Sequence, residues 1–191
     1  MGRLDLAQMS ARKSRPAQPG VPQSDDIEAM IRVDHAGEYG AVRIYEGQLA
    51  VLGKSGAVAT SIARMAEQEQ AHLAAFDTLI NERRVRPTAL EPVWRVAGFA
   101  LGAATALLGE KAAMACTAAV EEVIDEHYAH QIARLDHDPA LKNAIAGFRE
   151  DEIAHRDEAI HHGAEDAPGY KILSEAIKAG CRLAIKLSER L

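Results

Sequence analysis

The sequence predicts an all-α protein, a four-helix bundle carrying two further helices, and three observations predict it. Aromatic residues make up only 4% of the 191 residues, alanine is abundant, and β-branched residues come in short runs. That composition favours helix over sheet. Glycine and proline gather at a few breaks, around Gly53, Pro87, Gly109, Pro139 and Gly163, leaving uninterrupted segments of helical length between them. Finally, one pattern occurs twice: Glu-x6-Tyr-x2-Gln, then Glu-x-Glu-x-x-His. The first copy is Glu38, Tyr45, Gln48, Glu67, Glu69 and His72; the second, shifted by 83 residues, is Glu121, Tyr128, Gln131, Glu150, Glu152 and His155.

Residues 1–24 read as a basic, proline-rich tail. Arg3, Arg12, Lys13 and Arg15 outweigh Asp5, and Pro16, Pro19, Gly20 and Pro22 oppose a helix. The folded region then spans 25–191. A first helix is expected from Asp25, with Asp25 and Glu28 spaced as a capping box, to Leu52 before Gly53. Gly37 and Gly40 lower its helix propensity, a pattern that lets another helix or a ligand approach closely. A second helix is expected over 56–83. The third starts at Glu91-Pro92, proline being tolerated in a first turn. It runs apolar from Val96 to Gly109, too short for the ~20 residues that cross a bilayer. It suits either a crossover helix buried in the bundle or a helix lying at a membrane surface, with Trp94 and Arg95 as interfacial anchors. A fourth helix is expected over 110–135, a fifth from Pro139 to His162, and a last from 170 to 190. The last presents Ile172, Leu173, Ile177, Leu183, Ala184 and Leu187 for packing.

Charge and cysteine content narrow the function classes. Lys and Arg number 22 against 28 Asp and Glu, a formal net charge of −6, which argues against nucleic acid as a partner. Cys116 and Cys181 form no Cys-x-x-Cys motif and read as buried free thiols. No apolar signal core is visible at the N-terminus.

The chemistry lies in the repeat. Residues three apart on a helix share a face, so Glu69 with His72, and Glu152 with His155, can each grip a metal ion. Glu38 lies 31 residues before Glu69, and Glu121 lies 31 before Glu152. From Glu38 to the break at Gly53 is about 22 Å of helix, and the return to Glu69 is about 21 Å. The two glutamates therefore meet at one height in a helical hairpin, and Asp138-Pro139 makes the equivalent break in the second half. Two such hairpins bring four glutamates and two histidines together, the donor set of a di-iron carboxylate site in a ferritin-like bundle. Hard carboxylates with imidazole suit iron or manganese better than structural zinc. The expected grouping is Glu38, Glu69 and His72 on one ion and Glu121, Glu152 and His155 on the other, with Glu69, Glu121 or Glu152 bridging. Glu67, Glu122 and Glu150 point off this face. His35 reads as a packing histidine and Asp34 and Asp125 as candidates to orient a ligand histidine. Tyr45 and Tyr128 lie two turns beyond the ligand glutamates, as packing groups or relays. His127, His130 and His137 read as surface groups. Oxygen activation, peroxide breakdown and iron storage are all within reach of such a site.

Beyond these motifs the chain resembles the demethoxyubiquinone hydroxylase family, the di-iron hydroxylases of ubiquinone biosynthesis. The resemblance is carried by Ile31-Arg-Val-Asp-His-Ala-Gly-Glu-Tyr-Gly-Ala41, Arg84-Val-Arg-Pro-Thr88, Phe99-Ala-Leu-Gly-Ala103, Ala115-Cys-Thr117, Val120-Glu-Glu122, Ala179-Gly-Cys-Arg182 and Leu187-Ser-Glu-Arg-Leu191. It implies a membrane-associated monooxygenase that uses O2 to hydroxylate the ring of a polyprenylated demethoxyubiquinol. It implies iron on the same six residues, and a role for His127 and Tyr128 in moving electrons or protons. It implies a peripheral place on the cytoplasmic face of a bacterial membrane, or the matrix face of the mitochondrial inner membrane in a eukaryote. A lipid-binding partner protein is a further implication. No nicotinamide or flavin fingerprint is visible in the sequence, so an external reductant is expected.

Overall fold

The computed structural model describes residues 24–191. The expected tail, Ser24 apart, and the side chain of Asp25 lie outside the described residues. Six α-helices follow in order: α1 Ser24–Leu52, α2 Ala57–Arg83, α3 Glu91–Leu107, α4 Glu110–Ile132, α5 Pro139–His161 and α6 Tyr170–Ser188. A 3-10 turn at Ala164–Asp166 precedes α6. The all-α expectation holds, with no strand among the described residues.

α1 pairs with α2 and α4 with α5, the two hairpins that the repeat predicts. The first turn uses Gly53 at φ 77° and Gly56 at φ 103°, left-handed conformations that glycine adopts without steric cost. The second hairpin's turn is tied to the first. Asp138 caps α5 by accepting the Leu141 N–H at 3.1 Å and also receives the Arg83 guanidinium from the end of α2, with one contact at 3.2 Å. The core fills the space between the hairpins. Ile62 and Met65 of α2, Met114 of α4 and Ile145 of α5 are fully buried, each worth about 1.5–3 kcal/mol of burial. α4 is the most enclosed helix; Ala112 through Glu121 are all buried.

α3 is not the buried crossover helix that its composition allowed. It lies along the outside of α1, backbone against backbone. A Cβ on Gly47 would sit 2.2 Å from the Phe99 carbonyl oxygen, and one on Gly102 would sit 1.9 Å from that of Ile44. Its other side faces outward and is apolar: Val93 is 51%, Val96 69% and Leu107 75% exposed. α6 packs on α4 through Ile177, while Ile172 and Leu183, expected to pack, stand out from the surface. The ends of α3 and α6 are joined where Trp94 Nε1 donates to Ser188 Oγ at 3.0 Å. Among the described residues, no helix is long and apolar enough to cross a membrane.

Candidate metal centre

All six residues of the expected ligand set converge between the hairpins. Glu38, Glu69, Glu121, Glu152 and His155 are at most 1% exposed and His72 is 4% exposed. Two overlapping clusters form, each with its ligand atoms within 4.8 Å of one another: Glu38, Glu69, His72 and Glu152, then Glu69, Glu121, Glu152 and His155. His72 Nδ1 lies 3.6 Å from Glu38 and 3.2 Å from Glu152 of the other hairpin. His155 Nδ1 lies 3.5 Å from Glu152 and 3.0 Å from Glu69, again across the hairpins. Glu69 and Glu152 thus belong to both clusters and Glu121 to one.

The remaining atoms of these side chains are held by a second set of crossings. Tyr45 donates to Glu121 at 2.6 Å, and Tyr128 donates to Glu38. His72 Nε2 meets Asp151 at 3.0 Å, and His155 Nε2 meets Gln68 at 3.1 Å. Anchoring the far ring nitrogen turns each Nδ1 into the cluster. What remains is a ring of buried polar atoms without hydrogen-bond partners: Glu38 Oε2, both oxygens of Glu69 and Glu152, Glu121 Oε2, and Nδ1 of both histidines. Buried carboxylates this close need cations or protons. Among the described residues no lysine or arginine forms an ion pair with any of the four glutamates; only the two histidines do. Oxygen and imidazole donors without a thiolate fit iron or manganese.

The electrostatics agree with that fit. Burial lifts the Glu69 and Glu121 carboxyls well above their ordinary 4.5, and neighbouring carboxylates add to the shift. Burial also opposes ionisation of Glu152, but the imidazoles of His155 and His72 prevail and hold it down to about 2. Burial disfavours the charged ring of His72, yet the carboxylates of Glu152 and Glu38 raise it to about 10. A cluster of this kind holds either protons or cations, and metal binding displaces the protons. Both tyrosines are pushed far up by burial and by the same carboxylates, so they act as neutral donors.

An apolar cavity of about 510 Å³ is walled by α1, α3, α4 and α6. Gly37 and Val120, the immediate neighbours of Glu38 and Glu121, line it, as do Trp94, Ile177 and Cys181. Burial pushes the free Cys181 thiol up to about 11 and that of Cys116 to about 12, which disfavours the thiolate at neutral pH.

Residues 25–188 match the family described as ubiquinone biosynthesis protein COQ7. The chain belongs to this family. A 3-demethoxyubiquinol 3-hydroxylase of Rhodospirillum rubrum is 58% identical over 166 residues, covering 86% of this chain and 78% of the relative. The human NADPH-dependent 3-demethoxyubiquinone 3-hydroxylase, a mitochondrial protein, is 54% identical over 170 residues, with 86% and 78% covered. The yeast 5-demethoxyubiquinone hydroxylase, also mitochondrial, is 39% identical over 186 residues, with 88% and 80% covered.

In this COQ7-family chain several lesser expectations need correction. Neither Asp34 nor Asp125 orients a clustered histidine. Asp34, fully buried, lies 3.3 Å from His127 and accepts from Gln131 at 2.8 Å. Asp125 receives Arg149 at 2.6 Å and Arg156 at 3.3 Å. His127 is therefore not a simple surface group; it joins the buried Asp34 to a second, polar cavity of about 380 Å³ that His130 and Arg134 also line. His35 packs as expected and pairs with Asp77 at 3.0 Å. Glu67 and Glu150 are exposed, and Glu122 pairs with Lys178 at 2.7 Å. The orienting residues, Gln68 and Asp151, escaped the sequence reading, although the 83-residue shift maps one onto the other.

Proposed function

We propose that this chain is a di-iron monooxygenase that hydroxylates the ring of a polyprenylated demethoxyubiquinol in ubiquinone biosynthesis. One oxygen atom of O2 goes to the ring and the other leaves as water, with two electrons from an external reductant. The observation that carries the reading is the apolar cavity whose wall residues Gly37 and Val120 directly precede the ligands Glu38 and Glu121. Such a cavity suits an isoprenoid quinol, and its wall includes the stretch of α1 and α4 that carries Glu38 and Glu121. The names of the relatives supply the substrate class and, for the human protein, NADPH as the source of electrons.

In this reading Glu38 and His72 would hold one ion and Glu121 and His155 the other, with Glu69 and Glu152, which belong to both clusters, shared between them. Iron held by these residues would supply O2 activation. Tyr45 and Tyr128 pin one oxygen of Glu121 and of Glu38, leaving the second oxygen of each for metal. His127 and Tyr128 are the proposed catalytic pair. His127 faces the polar cavity and Tyr128 touches a ligand, so adjacent residues span from solvent to the centre and can move protons. The test is anaerobic loading with ferrous iron, metal analysis, then a short-tailed demethoxyquinol with reductant and 18O2. About two irons per chain and one labelled oxygen in the product are expected. A loaded protein that leaves the quinol unchanged would sink the reading.

The exposed apolar sides of α3 and α6 support a peripheral seat on a membrane, where the quinol is dissolved. That membrane is the cytoplasmic face of a bacterial cell membrane, or the matrix face of the mitochondrial inner membrane in a eukaryote. A lipid-binding partner protein would use the same surface. Burying a side chain such as Val96 or Leu107 contributes about 1.5–3 kcal/mol. Val96→Glu with Leu107→Glu is therefore expected to lower co-sedimentation with phospholipid vesicles by about tenfold or more. Equal binding by wild type and the double variant would rule out this face.

A further inference from the structure

Three helical glycines border the apolar cavity with no packing reason to be glycine. Gly37 and Gly40 on α1 and Gly180 on α6 line it, and a Cβ built on any of them meets nothing within 4 Å. Gly98, in the same wall, is different: its Cβ would lie 2.9 Å from the Gly40 carbonyl oxygen, so the contact between α1 and α3 demands glycine there. None of the three has a positive φ that would require glycine. Each lowers helix propensity relative to alanine, and neither packing nor backbone geometry explains it.

The internal repeat supplies the comparison. The 83-residue shift lays Gly37 over Val120 and Gly40 over Val123, and both valines line the same cavity from α4. At equivalent places beside equivalent ligands, the fold accepts a β-branched side chain on one helix and carries bare backbone on the other. We propose that Gly37 and Gly40, with Gly180, are specificity-determining residues that provide the clearance for the flat quinol ring beside the metal ligands. This rests on the quinol reading above. A methyl group at Gly37 or Gly40 moves the wall into the cavity by about one carbon–carbon bond, roughly 1.5 Å. That is a large part of the roughly 3.5–4.0 Å at which two carbon layers touch. The ring then loses its place while the fold does not.

The chain has one tryptophan, and Trp94 lines this cavity, so its quenching by a short-tailed demethoxyquinone in detergent micelles reads occupancy directly. Gly147 provides the control: it is an exposed α5 glycine, equally open at Cβ and away from the cavity. Gly37→Ala, Gly40→Ala, Gly180→Ala and Gly147→Ala are each expected to raise the Tm, by about 2–4 °C. Only the three cavity variants should weaken quinone binding, Gly37→Ala and Gly40→Ala by about tenfold or more in Kd and KM. Their kcat should fall less than their KM rises, and iron per chain should stay at the wild-type level. Quinone binding by Gly37→Ala and Gly40→Ala equal to that of Gly147→Ala would overturn the proposal, as would loss of iron or a lowered Tm. Wild type that quenches with the quinone yet forms no hydroxylated product would instead sink the reaction and leave this wall standing.

Discussion

Glu152→Gln is expected to abolish iron binding at both positions and to bring hydroxylation to background. Glu152 belongs to both clusters, is fully buried, and has two unpartnered oxygens. The substitution keeps its shape and removes its charge. Iron should fall from about two per chain to near zero. Glu121, in one cluster only, should on replacement by glutamine lose a single ion. The metal-free Glu152→Gln protein should melt lower than metal-free wild type at neutral pH, because His72 and His155 lose the buried carboxylate that both imidazoles hold ionised. Glu150→Gln, exposed two residues away, should match wild type in every measurement. Metal analysis with thermal melts of the metal-free proteins decides it. One iron retained in Glu152→Gln would show that the residue is not shared.

Asp151→Ala is expected to weaken iron binding by about 10–100-fold although Asp151 is not itself a ligand. Its carboxylate meets His72 Nε2 at 3.0 Å, which places the ring proton there and leaves Nδ1 as a lone pair for metal. The Asp151 side chain is 44% exposed, so its removal should leave the melting temperature nearly unchanged. Gln68→Ala should act in the same way through His155. Asp151→Asn should restore most of the affinity, since Gln68 already does the equivalent work with an amide oxygen. Competition against a chelator gives the affinities. An Asp151→Ala protein that holds iron as tightly as wild type would remove Asp151 from the account.

Much of this architecture is legible in the order of residues because both of its signals are periodic. Glu-x-x-His works only if the helix turns every 3.6 residues, and the 31-residue spacing works only if a hairpin folds at Gly53. The orienting pair was not legible for the opposite reason. Gln68 and Asp151 are polar residues beside a glutamate on a helix, a pattern that a solvated face produces equally well, and their partners lie 87 and 79 residues away. Asp34 misled because it sits one turn before Glu38, where a buried acid suggests a histidine partner. That partner is His127 rather than a clustered histidine, and the equivalent of Asp34 in the second half is Thr117. Hydropathy alone did not place α3, since a protein interior and a bilayer surface select the same side chains. The spacing of Gly98 and Gly102 holds the clue, as helices in backbone contact need such pairs.

Every one of these partnerships crosses between the hairpins. Tyr45 reaches Glu121 and Tyr128 reaches Glu38; Gln48 reaches Thr117 and Gln131 reaches Asp34. In these pairs, and in Gln68–His155 with Asp151–His72, the 83-residue shift turns each contact into its counterpart. This is the contact rule of an isologous homodimer, written into a single polypeptide. Neither half is a workable unit. The first hairpin alone carries three of the six clustered side chains, with its histidine unanchored and its phenol without an acceptor. Each hairpin is built from contacts local in sequence, whereas these pairs join residues 69–97 positions apart, the kind of contact whose loop-closure entropy slows folding. A metal ion held by both clusters would tie the two hairpins to each other, and the stability it added would belong to that joint rather than to any helix.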